Sequence, residues 1–146
     1  MKITLTVNEQ KRELSVEPRH TLADVLSTPA GCEHGICGAC TVIVDGEPVR
    51  ACLMFAVQAQ GKRIRTVEGL AQGDELHPLQ RAFMEHHALQ CGYCTPGFLM
   101  LATALLERNP KIGDQELREA LSANLCRCTG YQNILKAVRA AADKMR

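Results

Sequence analysis

Apolar and polar side chains alternate along Lys2-Ile3-Thr4-Leu5-Thr6-Val7, the period of a half-buried strand. Asn8-Glu9-Gln10 turns the chain, and Arg12–Val16 reads as the hairpin partner. Thr21 is placed to cap a short helix carrying Leu22, Val25 and Leu26. That helix is expected to end at Thr28-Pro29, because a residue before proline avoids the helical region. Thr41–Val44, Asp45-Gly46 and Pro48–Ala51 predict strand, tight turn and strand, and Arg63–Val67 a last strand. Near Gly69–Gly73 the composition changes, and the sequence beyond is helical. His77–Ala88 carries Leu79, Phe83 and Met84 at helical spacing. Thr95 reads as the cap of a helix opened by Pro96 and running to Arg108. Its stretch Phe98–Leu106 is apolar nearly all round, as expected of a bundle's buried centre. Asp114 reads as the cap of Gln115–Ala123, and Tyr131–Met145 as a fourth helix.

These elements predict an α+β chain in two parts. Residues 1–70 form a small mixed sheet with one helix, a β-grasp-like arrangement, and residues 74–146 a four-helix bundle. Hydrophobic residues make up 46% of the 146, charged residues 23%, and the net charge is +1. That balance supplies no basic field for nucleic acid, and no apolar run is long enough for a membrane span. With three Phe, two Tyr and no Trp, the core must be built from aliphatic residues. Halves of about 70 residues are at the size where a core alone is marginal and a staple is usual. Eight cysteines can staple both, four to each half. There is no dinucleotide fingerprint, no phosphate loop and no nucleophile–base pair to make the chain catalytic alone.

The first staple is Cys32-x4-Cys37-x2-Cys40 with Cys52 further on. That is the plant-type ferredoxin spacing for a [2Fe–2S] cluster. One compact loop aims three thiolates at a small inorganic core, and a hairpin returns the fourth. Gly31, Gly35 and Gly38 let backbone N–H groups approach the sulfurs. Those donors matter, because four thiolates, two ferric irons and two sulfides leave a charge of about −2. Zinc prefers two C-x2-C-like pairs, which the x4 gap does not provide. Disulfides are not expected either, since no signal peptide precedes Met1. His34 lies within the loop, but four cysteines are already at hand, so it reads as a solvated histidine.

Cys91-x2-Cys94 falls in the turn between the first two predicted helices of the second half. Cys126-x-Cys128 falls between the third and fourth. In an antiparallel bundle both turns lie at one end, so the four sulfurs can converge without distorting a helix. The C-x-C pair is unusual for zinc, and iron–sulfur is the expected chemistry. His86 and His87 end a helix and carry no assigned chemistry. Tyr93 and Tyr131 are expected to pack near the cluster. Arg127, between two thiolates, either offsets cluster charge or is simply exposed.

Gln90-Cys91-Gly92-Tyr93-Cys94-Thr95-Pro96-Gly97 and Cys126-Arg127-Cys128-Thr129-Gly130-Tyr131, downstream of Cys32–Cys40, resemble the iron–sulfur subunit of the xanthine oxidase family of molybdenum hydroxylases. Val67-Glu68-Gly69-Leu70 and Leu76-His77-Pro78-Leu79-Gln80 extend the resemblance over nearly the whole chain. It is similar to the small subunits of three-subunit bacterial members such as aerobic carbon monoxide dehydrogenase. The resemblance implies two [2Fe–2S] clusters, one on Cys32, Cys37, Cys40 and Cys52 and one on Cys91, Cys94, Cys126 and Cys128. It implies that the second lies next to the molybdopterin of a large partner subunit, where Gln90 and Cys128 match pterin-contacting positions. The first faces an FAD-bearing medium subunit. A heterotrimer or its dimer, in the cytoplasm, is the implied assembly, with electrons passing from molybdopterin through both clusters to flavin or another acceptor. Between Leu26 and Gly31 this chain has only Ser-Thr-Pro-Ala, where the family carries a longer segment. Two other readings stay open on the residues alone. One is a free-standing two-cluster ferredoxin, and the other is a zinc-stabilised interaction module.

Overall fold

The computed structural model describes residues 1–146. The alternating stretch at its start is strand β1 (Lys2–Val7), with Ile3, Leu5 and Val7 buried. Asn8 and Glu9 both take positive φ in the turn to β2 (Gln10–Ser15), so pairing starts two residues earlier than expected. Helix α1 (Leu22–Leu26) opens on a capping box. Asp24 N–H donates to Thr21 Oγ1 at 3.3 Å, and Thr21 N–H donates to the Asp24 carboxylate at 2.7 Å. Ser27 (φ 53°) closes α1 in the left-handed region, ahead of Pro29, so the proline is not what stops it.

Strands β3 (Thr41–Val44), β4 (Glu47–Arg50) and β5 (Arg63–Arg65) complete a five-stranded mixed sheet. Its order is β2-β1-β5-β3-β4, with β1 and β5 parallel and the other neighbours antiparallel. Two short 3₁₀ turns, Ala51–Leu53 and Ala56–Ala59, fill the connection from β4 to β5. Neither has enough length to show a period in sequence. The first of them carries Cys52.

The second half contains helices α2 (Pro78–Glu85), α3 (Thr95–Arg108), α4 (Asp114–Leu121) and α5 (Gln132–Lys144). α2 packs on α3 and α5, and α4 on the same two. α3 also lies against β3, which explains why it is apolar nearly all round: a sheet covers one side and helices the other. β3 accordingly is buried on both faces. Val42 and Val44 join the cluster of Ile3, Leu5, Val7, Leu22 and Ile64, whereas Ile43 joins the cluster built by the helices. The chain is α+β, and sheet and helices share a packed boundary. No helix is long and apolar enough to cross a membrane.

Two expected caps sit one residue from where the pattern put them. Cys94 (φ −80°, ψ −13°) is already helical as it enters α3, so Thr95 is inside the helix and its hydroxyl is buried without a partner. The extended residue before α4 is Gly113 (φ −69°, ψ 158°). Asp114 therefore lies in the first turn, where it pairs with Arg139 at 2.5 Å.

α3 reaches the cysteine loop before β3 at one glycine. A Cβ on Gly97 would stand 2.2 Å from the carbonyl oxygen of Gly38 and 3.0 Å from Ala39 Cα. Both obstacles are backbone and cannot swing aside. Gly97→Ala should therefore destabilise the chain by about 3 kcal/mol through overpacking, against a helix-propensity gain of about 1 kcal/mol. The measurement is the Tm of the full chain by calorimetry, with a clear net decrease expected.

Candidate functional site

The loop Gly31–Cys40 has little regular structure, and its backbone is directed at sulfur. Ile36 and Cys37 N–H both donate to Cys32 Sγ at 3.3 Å, and Ala39 N–H donates to Cys37 Sγ at 3.5 Å. Gly35 (φ 84°) and Gly38 (φ 75°) provide the left-handed turns that face these amides inward. The amides of Cys37 and then His34 lower the Cys32 thiol to about 6. Cys52, delivered beside the loop, behaves oppositely. Burial first, then the neighbouring Cys40 thiol, raise it to about 11, and Cys32 adds to the effect.

The helical half repeats the arrangement with different parts. Thr129 donates to Cys126 Sγ through its amide at 3.4 Å and its hydroxyl at 3.1 Å, and Tyr93 N–H donates to Cys91 Sγ at 3.5 Å. Burial pushes the Cys126 thiol up, but these Thr129 donors and the Cys128 amide outweigh it, and the net direction is down. Cys94 is raised to about 12 by burial, then by Cys126 and Cys91. The Cys126 amide donates to Tyr131 Oη at 3.1 Å, and the Tyr131 ring packs edge-on against Phe98 at 6.3 Å. Gln90 Nε2 donates to the carbonyl of Cys128 at 3.1 Å, so the two residues matched to pterin contact are in direct contact.

None of the eight cysteines is in a disulfide, so every sulfur is at hand as a thiolate ligand. A two-iron core takes two thiolates per iron. The amide donors offset the anionic charge such a core carries. The donor set therefore fits iron–sulfur chemistry.

The two loops also touch. Leu125 N–H donates to Cys37 O at 2.8 Å, and Asn124 Nδ2 to Gly38 O at 3.3 Å. Arg50 reaches across from β4, donating to Ala123 O at 2.6 Å, Thr41 Oγ1 at 2.8 Å and Gly35 O at 3.4 Å.

Residues 5–85 match the family described as 2Fe-2S iron-sulfur cluster binding domain, and residues 66–139 the family described as [2Fe-2S] binding domain. The chain is 55% identical over 145 residues to the nicotine 6-hydroxylase small subunit of Paenarthrobacter nicotinovorans, covering 94% of this chain and 87% of that one. It is 53% identical over 150 residues to caffeine dehydrogenase subunit gamma of Pseudomonas sp. strain CBB1, covering 96% and 90% respectively. The solved structure of quinoline 2-oxidoreductase from Pseudomonas putida 86 superposes with a TM-score of 0.96 at 50% identity, over 100% of this chain and 96% of that chain. This chain belongs to the iron–sulfur small subunits of the xanthine oxidase family of molybdenum hydroxylases.

As such a small subunit, it is an electron-transfer component of an oxidoreductase complex. Several candidates from the sequence stand apart from the sulfurs' immediate bonding. His34 is exposed and its Nδ1 meets only Cys32 O, at 2.8 Å. His86 ends α2, and the His87 carbonyl accepts from Asn133. Arg127 is exposed with no hydrogen-bond or ion-pair partner. Tyr93, expected to be packed, is 54% exposed because its ring lies along the surface between the loops. The pattern missed Arg50 and Asn124. Arg50 had a signal: it is a charged residue two places before Cys52, at the end of the clearest hairpin.

The spread of thiol acidities gives a measurable order. In the iron-free small subunit Cys32 is a thiolate above about pH 6, while Cys94 stays protonated up to about 12. Alkylation at pH 7 should mark Cys32 first, with a rate that falls as pH drops through 6, and Cys94 last. Peptide mapping by mass spectrometry reads the order. In urea it should collapse toward the common unperturbed thiol near 8.5.

Proposed function

We propose that the small subunit holds one [2Fe–2S] cluster on Cys32, Cys37, Cys40 and Cys52 and another on Cys91, Cys94, Cys126 and Cys128. In this reading residues 1–70 form a ferredoxin-like β-grasp domain and residues 74–146 a four-helix bundle. The subunit works in the cytoplasm between a large molybdopterin-bearing subunit and a medium FAD-bearing subunit, in a heterotrimer or its dimer. Each cluster, when bound, supplies reversible one-electron storage. The chain's own residues do the rest. Amides of Ile36, Cys37 and Ala39 stabilise one set of thiolates, and Thr129 and the Tyr93 amide the other.

The observation that carries this reading is the 2.8 Å hydrogen bond from Leu125 N–H to Cys37 O. Cys37 belongs to one quartet, and Leu125 is the residue before Cys126 of the other. Covalent bonds and a single hydrogen bond thus connect two ligand sets that the sequence places in separate halves. A storage protein for two unrelated clusters has no need of such a link. Gln90, bonded to the Cys128 carbonyl on an exposed edge, supports placing the helical set toward the pterin.

The test is metal content and magnetic coupling in the purified complex. About four irons and four acid-labile sulfides per small subunit are expected, in two distinct EPR species. The signal of partly reduced molybdenum should split when the cluster of Cys91, Cys94, Cys126 and Cys128 is reduced, and respond less to the other. Iron near two per chain defeats the two-cluster reading, and stronger coupling to the Cys32 set reverses the order of carriers.

A further inference from the structure

Tyr93 stands between Cys91 and Cys94, yet its hydroxyl serves the other cysteine loop. The hydroxyl donates to Ala30 O at 2.9 Å and accepts from Ala30 N–H at 3.1 Å. The backbone of Pro29, Ala30 and Gly31 has no other hydrogen-bond partner. This stretch is the short bridge from α1 to Cys32, and it cannot anchor itself. Pro29 has no N–H, Gly31 has no side chain, and the hydroxyl of Thr28 is buried without a partner. Thr28 and Pro29 border a small cleft with Ala39, Pro96 and Met100.

The bridge also runs close to the sulfurs. A Cβ on Gly31 would lie 2.9 Å from Cys37 Sγ and 4.0 Å from Cε1 of the Tyr93 ring. The tyrosine ring and the Cys37 sulfur therefore border the same face of Gly31. Through its amide, 3.5 Å from Cys91 Sγ, the same residue belongs to the second set. One residue, by its amide and its hydroxyl, spans both.

We propose that Tyr93 is a positioning residue for the cluster of the opposite loop. Its hydroxyl fixes Pro29–Gly31, and through them the placement of Cys32 and the exclusion of water from that flank. This rests on the ligand assignment made above. Cys32 is the first ligand after the bridge, and its thiolate takes two amide bonds, from Ile36 and Cys37, that depend on where the bridge delivers it. A cluster carrying about −2 becomes more negative on reduction, so water admitted beside it favours the reduced form.

Tyr93→Phe removes the hydroxyl and keeps the ring, at a position exposed enough that folding is not at stake. Redox titration followed by EPR on the full complex, and iron release to a chelator, are the measurements. Signals are assigned by the change each undergoes in Cys32→Ser and Cys91→Ser. The midpoint potential of the Cys32 cluster should move upward with altered g-values, and its iron should leave several-fold faster. The Cys91 cluster, although Tyr93 lies in its own loop, should keep its spectrum and potential. No change at the Cys32 cluster, or a change confined to the Cys91 cluster, overturns the positioning role. A parent complex lacking two [2Fe–2S] signals overturns the ligand assignment instead.

Discussion

The carbonyl group of Gly38 is the point on which the two halves are fitted together. It accepts from Thr41 N–H at 3.1 Å and Thr41 Oγ1 at 2.7 Å, which fixes the loop onto β3, and from Asn124 Nδ2 at 3.3 Å, which fixes it to the helical half. Gly97 must be glycine for α3 to approach this oxygen, and Gly38 itself has φ 75° with Asn124 pressed where a side chain would be. Three backbone requirements therefore meet within one small volume. Neither loop can shift without breaking a contact that the other needs, and the spacing between the sulfur sets follows from that. Arg50 reinforces the joint from the edge of the sheet, with one guanidinium serving both loops.

Electrostatics sets a second constraint. Burial first, and then the crowding of thiolates, raises the cost of ionising Cys52 and Cys94, and donors lower it at Cys32 and Cys126. In the proposed quartets, one easy thiolate beside one reluctant one would be favoured by the positive charge that iron supplies. The amide and hydroxyl donors would share in offsetting the thiolate charge.

Much of this was legible in the sequence where the cause is local. Hairpins at Asn8–Glu9 and Asp45-Gly46, the Thr21 cap and the cysteine spacings are each decided within a few residues, and the chain displays them directly. Thr95 and Asp114 went astray by one position because a cap depends on the backbone angles of its predecessor. In α3 the cysteine loop sets those angles. The division into halves was visible as a change of period, but it hid the joint. Arg50 to Ala123, Asn124 to Gly38 and Tyr93 to Ala30 link residues far apart in the chain that share no pattern. The apolar surround of α3 was visible, yet its covering by β3 was not, because a strand buried on both faces gives the same apolar run as one buried deeply on one.

That doubly buried strand has a consequence for how the protein is made. Ile43 is made well before the helix that covers it, which is complete only at Arg108. At ordinary rates of translation the interval is roughly 3–13 s. During that time an apolar sheet face lies open, and the second set of cysteines stays incomplete, because Cys126 and Cys128 follow Arg108. The two sets of cysteines can thus reach their final relation only once Cys126 and Cys128 have been made and α3 has closed over β3.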